Sequence, residues 1–295
     1  MNKLPAAKRA QILQMMAEGV SIRAIVRMTG ASKNTVAKLI EDAGAAFSAY
    51  MDEHFKSLPC KRVQVDEIWS FVYAKDKNLP KAKAAPENAG SVWTWTAICA
   101  DTKLVPSFYV GGRDAFAAHT FMHDLADRLA NRVQLTSDGH KAYLDAVERA
   151  FGNNIDYAML VKHYGPAPDG PQTRYSPPTC VGVTTEAIVG NPDKRHVSTS
   201  YAERQNLSMR MGMRRFTRLT NAFSKKIENH AHALAIYFVH YNFVRIHQSL
   251  RVTPAMAAGV TDKLFDMADL VAIVDAAEEP AGPRGPYKKD QVSAG

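Results

Sequence analysis

KRVQVDEIWSFVYA, residues 61–74, is where the period of the sequence changes from helical to extended. Alternation puts Val63, Val65, Trp69 and Phe71 on one side and Gln64, Asp66, Ile68 and Val72 on the other, which is the period of two of a β-strand. Asp66 is out of place in it. A carboxylate inside a strongly apolar central strand is expensive to bury without partners, so it marks a functional position. Glu67 adjoins it, but alternation turns Glu67 to the opposite face, so it is not expected as a ligand, and a salt bridge to the insertion at 165–199 is its expected use.

Downstream, SVWTWTAICA (91–100) reads as a second strand. LVPSFYVGG (104–112) reads as a third, with Pro106 placing it at a sheet edge because proline cannot donate to the ladder. Asp114 opens a helix to about Ala130, VQLTSD (133–138) is a short fourth strand, Lys141 to Phe151 is a helix, and DYAMLVKHY (156–164) is a fifth strand. Residues 165–199 are rich in Pro, Gly and Thr and read as an irregular insertion or a pair of short strands. Helix resumes at Tyr201, and Phe223, Ile227, Ala231, Leu234 and Phe238 continue a buried face toward Tyr241. The end, EEPAGPRGPYKKDQVSAG, reads as a disordered tail.

Upstream, three short helices are expected. The first runs from Pro5 to a stop at Gly19; Ser21 caps a second; Thr29-Gly30-Ala31 breaks the chain before Ser32 caps a third, which buries Val36, Leu39 and Ile40. Its other face presents Lys33, Asn34, Thr35 and Lys38, as the reading helix of a helix-turn-helix does; a plain three-helix bundle with a basic face would share the pattern. The expected division is a helix-turn-helix domain over 1–45, a linker helix over 46–60, a catalytic domain over 61–250 containing the 165–199 insertion, and a C-terminal segment over 251–295.

Bulk properties agree with a DNA partner. Lys and Arg number 37 against 29 Asp and Glu in 295 residues, a net charge of +8 that favours a polyanion. Cys60, Cys99 and Cys180 are far apart in sequence and make no C-x-x-C pair, so neither a disulfide framework nor a zinc ribbon is expected, and a reducing cytoplasm, on the nucleoid in a prokaryote, is the simplest location. No stretch reaches the roughly 18 uninterrupted apolar residues of a membrane span.

The element order, three hairpin-linked strands followed by helix, strand, helix, strand and a closing helix, is that of the ribonuclease H-like fold. The expected class is therefore an all-α helix-turn-helix followed by a mixed-sheet α/β or α+β catalytic domain. In that order Asp66 lies mid-strand, Asp138 at the tip of strand four and Glu203 on the first turn of the closing helix, three places that converge. Three carboxylates together repel unless a cation neutralises them. Two magnesium ions about 4 Å apart, with manganese as the substitute, suit such oxygen ligands and in-line phosphodiester displacement. Between Lys194 and Lys226 stand nine Lys/Arg and one acid, Glu203. Arg204, Arg210, Arg214, Arg215 and Arg218 are thus expected along bound DNA, with Glu203, Arg210 and Arg214 on one helical face. His230, His232, His240 and His247 lack the i, i+4 spacing of a helical zinc site and read as polar or DNA-facing.

VQVDEIWSF (63–71), LTSDGHKAY (135–143), STSYAERQNLSMR (198–210), RRFTRLTNAFSKK (214–226) and YNFVRIH (241–247) together resemble the insertion-sequence-one family of DDE transposases over about residues 60–250. The resemblance implies that Asp66, Asp138 and Glu203 are the acidic triad. It implies an oligomer that binds the terminal inverted repeats of its own element, frees 3′-hydroxyls and joins them to target DNA. Some relatives carry a cysteine zinc finger before the helix-turn-helix, and this chain has no such cysteines. Two other classes share these residues: a DNA-binding regulator descended from an inactive transposase, and a nuclease or resolvase of the same fold.

Overall fold

The computed structural model describes residues 3–166, 178–217 and 222–278. Its sheet comprises β1 (Arg62–Val72), β2 (Gly90–Cys99), β3 (Phe108–Gly111), β4 (Val133–Ser137), β5 (Ile155–Tyr164) and β6 (Cys180–Val189), hydrogen-bonded in the order β3-β2-β1-β4-β5-β6. β1 is central, antiparallel to β2 and parallel to β4; β4 and β5 are parallel, and β6 returns antiparallel to β5. The parallel steps need crossovers, supplied by α4 (Ala115–Arg128) before β4 and α5 (Ala142–Phe151) before β5. Asp114 caps α4 by accepting the Ala117 N–H at 2.9 Å.

Helices α4 and α5 cover one face of the sheet. Trp95 of β2 is fully buried there, with ring centroids 6.1 Å from Phe121 of α4 and 5.3 Å from Tyr143 of α5. Helix α6 (Ser200–Gly212) approaches β1 from the Asp66 side: the buried Gln64 side-chain carbonyl accepts the N–H groups of Tyr201 and Ala202 at 2.7 and 3.2 Å. A strand side chain thus satisfies the free N–H groups that every helix start leaves over, and fixes where α6 begins.

The sheet departs from expectation at three places. The third strand shrinks to Phe108–Gly111; β3 is an edge, but Pro106 lies before it. The 165–199 stretch is neither irregular throughout nor a pair of short strands, because CVGVTTEAIV makes the ten-residue strand β6. Its Val and Thr residues suit a pleated edge, and the Pro/Gly-rich sequence before it concealed that signal. Residues 167–177 lie outside the described residues. The helix from Tyr201 stops at Gly212, a 3-10 turn spans Arg214–Phe216, and α7 (Ile227–Val239) continues into a π-helical turn at His240–Val244. Arg214 therefore leaves the helical face it was expected to share with Glu203 and Arg210.

At the N-terminus α1 (Ala6–Ala17), α2 (Ile22–Thr29) and α3 (Lys33–His54) form as expected, with Pro5 at the cap rather than the first helical position. Ser21 and Ser32 accept the N–H groups of Ala24 and Thr35 at 3.3 and 3.1 Å, and Gly30 takes the left-handed conformation, φ 68°, that ends α2. The boundary expected between 45 and 46 falls inside α3, so the third helix and the linker helix are one element, about 33 Å long at the α-helical rise. Two further helices follow the sheet unit, α8 (Pro254–Ala257) and α9 (Met267–Ala276). The disordered tail expected at the end lies, from residue 279, outside the described residues.

The helical unit is bound to the rest of the molecule. A Cβ at Gly44 of α3 would collide with the backbone and side chain of His232 of α7, so these helices touch where only glycine leaves room. Arg9 of α1 holds Asp275 of α9 through two bonds of 2.6 and 2.9 Å. Ile12, Phe47 and Phe55 share one apolar core with Val65, Trp95 and Phe243. Each such fully buried side chain contributes roughly 1.5–3 kcal/mol. No helix among the described residues is long and apolar enough to cross a membrane.

Candidate functional site: a carboxylate cluster where the β1–β4 ladder ends

β1 and β4 pair only as far as Gln64 and Thr136. Beyond that point β1 runs on while β4 ends at Ser137 and turns. Asp66, Glu67 and Asp138 lie just past the last paired residues, and one carboxylate oxygen from each falls within 4.8 Å of the others. Glu67 is therefore part of the cluster, against the expectation that alternation would turn it away. Alternation separates side chains by the two faces of a continuous sheet, and here the β1–β4 ladder has already ended, leaving a notch in the pairing beside Asp66 and Glu67.

Each carboxylate is held differently. Asp66 Oδ1 accepts the Glu67 N–H at 2.8 Å, and its Oδ2 accepts Asn206 Nδ2 of α6 at 2.8 Å. Asp138 Oδ1 accepts the His140 N–H at 3.0 Å in a tight turn, pressed onto β5 where a Cβ on Gly139 would stand 3.0 Å from Val161. Glu67 is anchored by Arg113, whose Nε lies 2.8 Å away, and by the Tyr143 hydroxyl at 2.9 Å. Burial and the neighbouring charges of Glu67, Asp138 and Glu203 push Asp66 up to about 7. Burial and Asp138 also raise Glu67, against the lowering influence of Arg113 and Tyr143. The cluster is an arrangement in search of positive charge.

Glu203 stands on the first turn of α6 and its charge reaches Asp66, but it is not one of the three converging carboxylates. Its Oε1 is ion-paired with Lys162 of β5 and accepts the Thr199 hydroxyl at 2.6 Å. The sequence placed Glu203 on the correct element; the partner that holds its side chain comes from a strand 41 residues earlier.

A hard divalent cation such as Mg²⁺ fits this donor set. The ligands are all oxygens, with no thiolate or imidazole among them. The Asn206 carbonyl Oδ1, on the residue whose amide nitrogen touches Asp66, is buried without a partner. Asn206, Lys162, Arg113 and Tyr143 were not singled out from sequence. The available signal was Asn206 one helical turn after Glu203; Lys162, Arg113 and Tyr143 carry no local mark.

The residues expected on DNA divide. Lys33, Asn34, Thr35 and Lys38 are exposed at the start of α3, Lys38 being paired with Asp42 at 2.7 Å. Arg204, Arg210 and Arg214 are exposed. Arg215 instead turns inward: its Nε donates to Ser224 at 2.8 Å, and desolvation brings the guanidinium down to about 10. Arg218 lies outside the described residues. The histidines are not uniformly DNA-facing either, since His230 is fully buried, 3.3 Å from Ser70, and His240 is nearly so. The buried face of α7 carries His230 into the core, and the π-helical turn that follows carries His240 there.

No curated protein matches the chain. The family model of the homeodomain-like domain matches residues 4–45, which hold α1, α2 and the first part of α3, so the chain opens with a helix-turn-helix of the kind that binds DNA.

Proposed function

We propose that the protein is a DNA transposase of the DDE type, similar to the insertion-sequence-one family, which binds the terminal inverted repeats of its element and cuts and joins DNA strands. The observation that carries this reading is the convergence of Asp66, Glu67 and Asp138 at one notch of the sheet, in a chain that begins with a DNA-binding helix-turn-helix. The ribonuclease H-like reading of the sheet is supported by the order β3-β2-β1-β4-β5, with parallel β1, β4 and β5 in the middle.

Asp66, Asp138 and Glu203 would hold divalent ions, with Glu67 as a further carboxylate. Bound there, Mg²⁺ lowers the pKa of a water or 3′-hydroxyl and stabilises the departing oxygen of an in-line displacement. The protein's part is positional. Gln64 sets the start of α6, Asn206 orients Asp66, and the Arg113–Glu67–Tyr143 linkage fixes the strand beside it. Lys162 keeps Glu203 paired until a cation competes for the carboxylate. Lys33, Asn34, Thr35 and Lys38 contact the phosphates and base edges of the repeat, Arg204, Arg210 and Arg214 contact further backbone phosphates, and the protein works as a homo-oligomer on two DNA ends.

The test is incubation of purified protein with Mg²⁺, a fragment ending in the element's inverted repeat, and plasmid target. Covalent joining of the fragment to plasmid is the expected product. Cleavage without joining would make the protein a nuclease or resolvase, and repeat binding with neither reaction would make it a regulator.

A further inference from the structure

Outward from Glu67, β1 places Trp69 and Phe71 on the same face at steps of two, roughly 7 and 13 Å farther along the strand. Trp69 is paired across the ladder with Trp93, just as Glu67 is with Trp95. Trp95 is sealed under Phe121 of α4. Trp69 and Trp93 are only half-buried, beyond the cover of that helix.

Each of these rings faces a cation from another segment. The Arg113 guanidinium lies 4.7 Å from the Trp93 ring centroid while its nitrogens hold Glu67. Lys75 Nζ lies 6.0 Å from the Trp69 ring and 5.6 Å from Phe71, and Phe223 packs 5.1 Å from Phe71. Lys75 opens the connection to β2, which also carries the exposed Lys77, Lys81 and half-buried or exposed neighbours around Lys83. A contact of 6 Å is the outer limit of a cation–π attraction, so Lys75 is loosely held and free to exchange the ring for a phosphate. Arg113 is held from two sides and offers its own plane for stacking.

We propose that Trp69 and Trp93, supported by the buried Phe71 and flanked by Lys75 and Arg113, form a strip that is a binding site for unpaired DNA nucleotides. Bases stack on the two tryptophan rings and on the Arg113 guanidinium, and Lys75 takes a phosphate. Stacking surfaces and cations set in one line match a single strand, whose bases present free faces; inside a duplex those faces are already covered. The strip adjoins Glu67, so its use during cleavage, seating nucleotides released beside the reacting bond, rests on the proposed phosphodiester chemistry, whereas strand binding does not.

The chain has three tryptophans, at 69, 93 and 95, all in or beneath the strip and none in the helix-turn-helix. Their fluorescence in the full-length protein, without metal, reports on this site and is silent to duplex bound at the N-terminus. Titration with a ten-nucleotide oligo(dT) is expected to quench it, and a hairpin duplex of equal charge is not. Trp69→Leu and Lys75→Glu are each expected to weaken oligo(dT) by about tenfold, Lys75→Glu with a shallower salt dependence, while Trp69→Phe, which keeps a ring, restores most of the affinity. Absence of quenching, equal quenching by the duplex, or unchanged affinity in both Trp69→Leu and Lys75→Glu would overturn the assignment. Quenching in a protein that neither cuts nor joins DNA with Mg²⁺ supports the strip and removes only the transposase reading; strand joining without quenching removes only the strip.

Discussion

The seam where α3, α7 and α9 meet and the notch between β1 and β4 are built on opposite terms. At the seam, and across α7 where it meets β1, packing decides the placement: Gly44 lets α3 touch His232, Arg9 of α1 grips Asp275, and His230, beside Ser70 of β1, is buried with its ring held neutral, its pKa lowered by desolvation and by Arg215 to about 3. At the notch three carboxylates are brought together with one guanidinium among them, and Asp66 is driven up to about 7. One region is shaped by packing and the other against electrostatics. A fold keeps such an unfavourable cluster where a ligand can repay it, so the contrast separates what holds the molecule from what it acts with.

The largest break in this contrast is Asp66→Asn. Loss of several kcal/mol of charge stabilisation is expected to reduce strand joining on the order of 10³-fold or more, with repeat binding in a gel-shift assay unchanged. Joining at the parental rate in the variant would remove Asp66 from the chemistry.

The two regions also predict opposite pH slopes. Folding lifts the Asp66 pKa from 3.8, so the folded state keeps a proton that the unfolded chain releases. The metal-free protein then loses stability as pH rises from about 4 to 7, on the order of 3–4 kcal/mol from this group. Chemical denaturation should show Asp66→Asn flattening that slope, and Mg²⁺ stabilising the parent above pH 7 but not the variant. For His230 the folded pKa lies below the unfolded 6.5, so its contribution is present above 6.5 and lost as pH falls, about 3 kcal/mol by pH 4. His230→Gln should reduce the acid sensitivity and leave the slope between pH 7 and 8 untouched; an unchanged acid limb would show that His230 is not its source.

Gly44→Ala tests the seam alone. The added methyl group must push α3 from α7, costing about 1–3 kcal/mol in urea titrations, with metal affinity preserved once the protein is folded. Parental stability would mean that the two helices part freely.

The smallest effect is expected at the exposed start of α3. Lys33→Ala removes one phosphate contact and should lower the salt slope of repeat binding by about 0.9, with joining intact once DNA is saturating. An unchanged slope would take Lys33 off the DNA.

Local signals were strong where a residue and its structural consequence are close in the chain. Ser21, Gly30 and Ser32 made the helix-turn-helix legible through caps and a left-handed turn. The alternation of 61–74 located β1, and Asp66 stood out because a carboxylate contradicts that pattern. The 165–199 stretch misled because its composition describes the loop before β6 better than β6 itself.

By itself, then, the sequence determined the helix-turn-helix, the strands β1, β2, β4 and β5, and the elements carrying Asp66, Asp138 and Glu203, since each depends on propensities and periods within a dozen residues. Only the tertiary structure decided that α3 is one helix locked to α7, that Glu67 joins Asp66 and Asp138, and that Glu203 faces Lys162. Those outcomes depend on where the β1–β4 ladder stops and on contacts between residues up to 188 positions apart, as Gly44 and His232 are, and no local pattern encodes the place where a ladder ends.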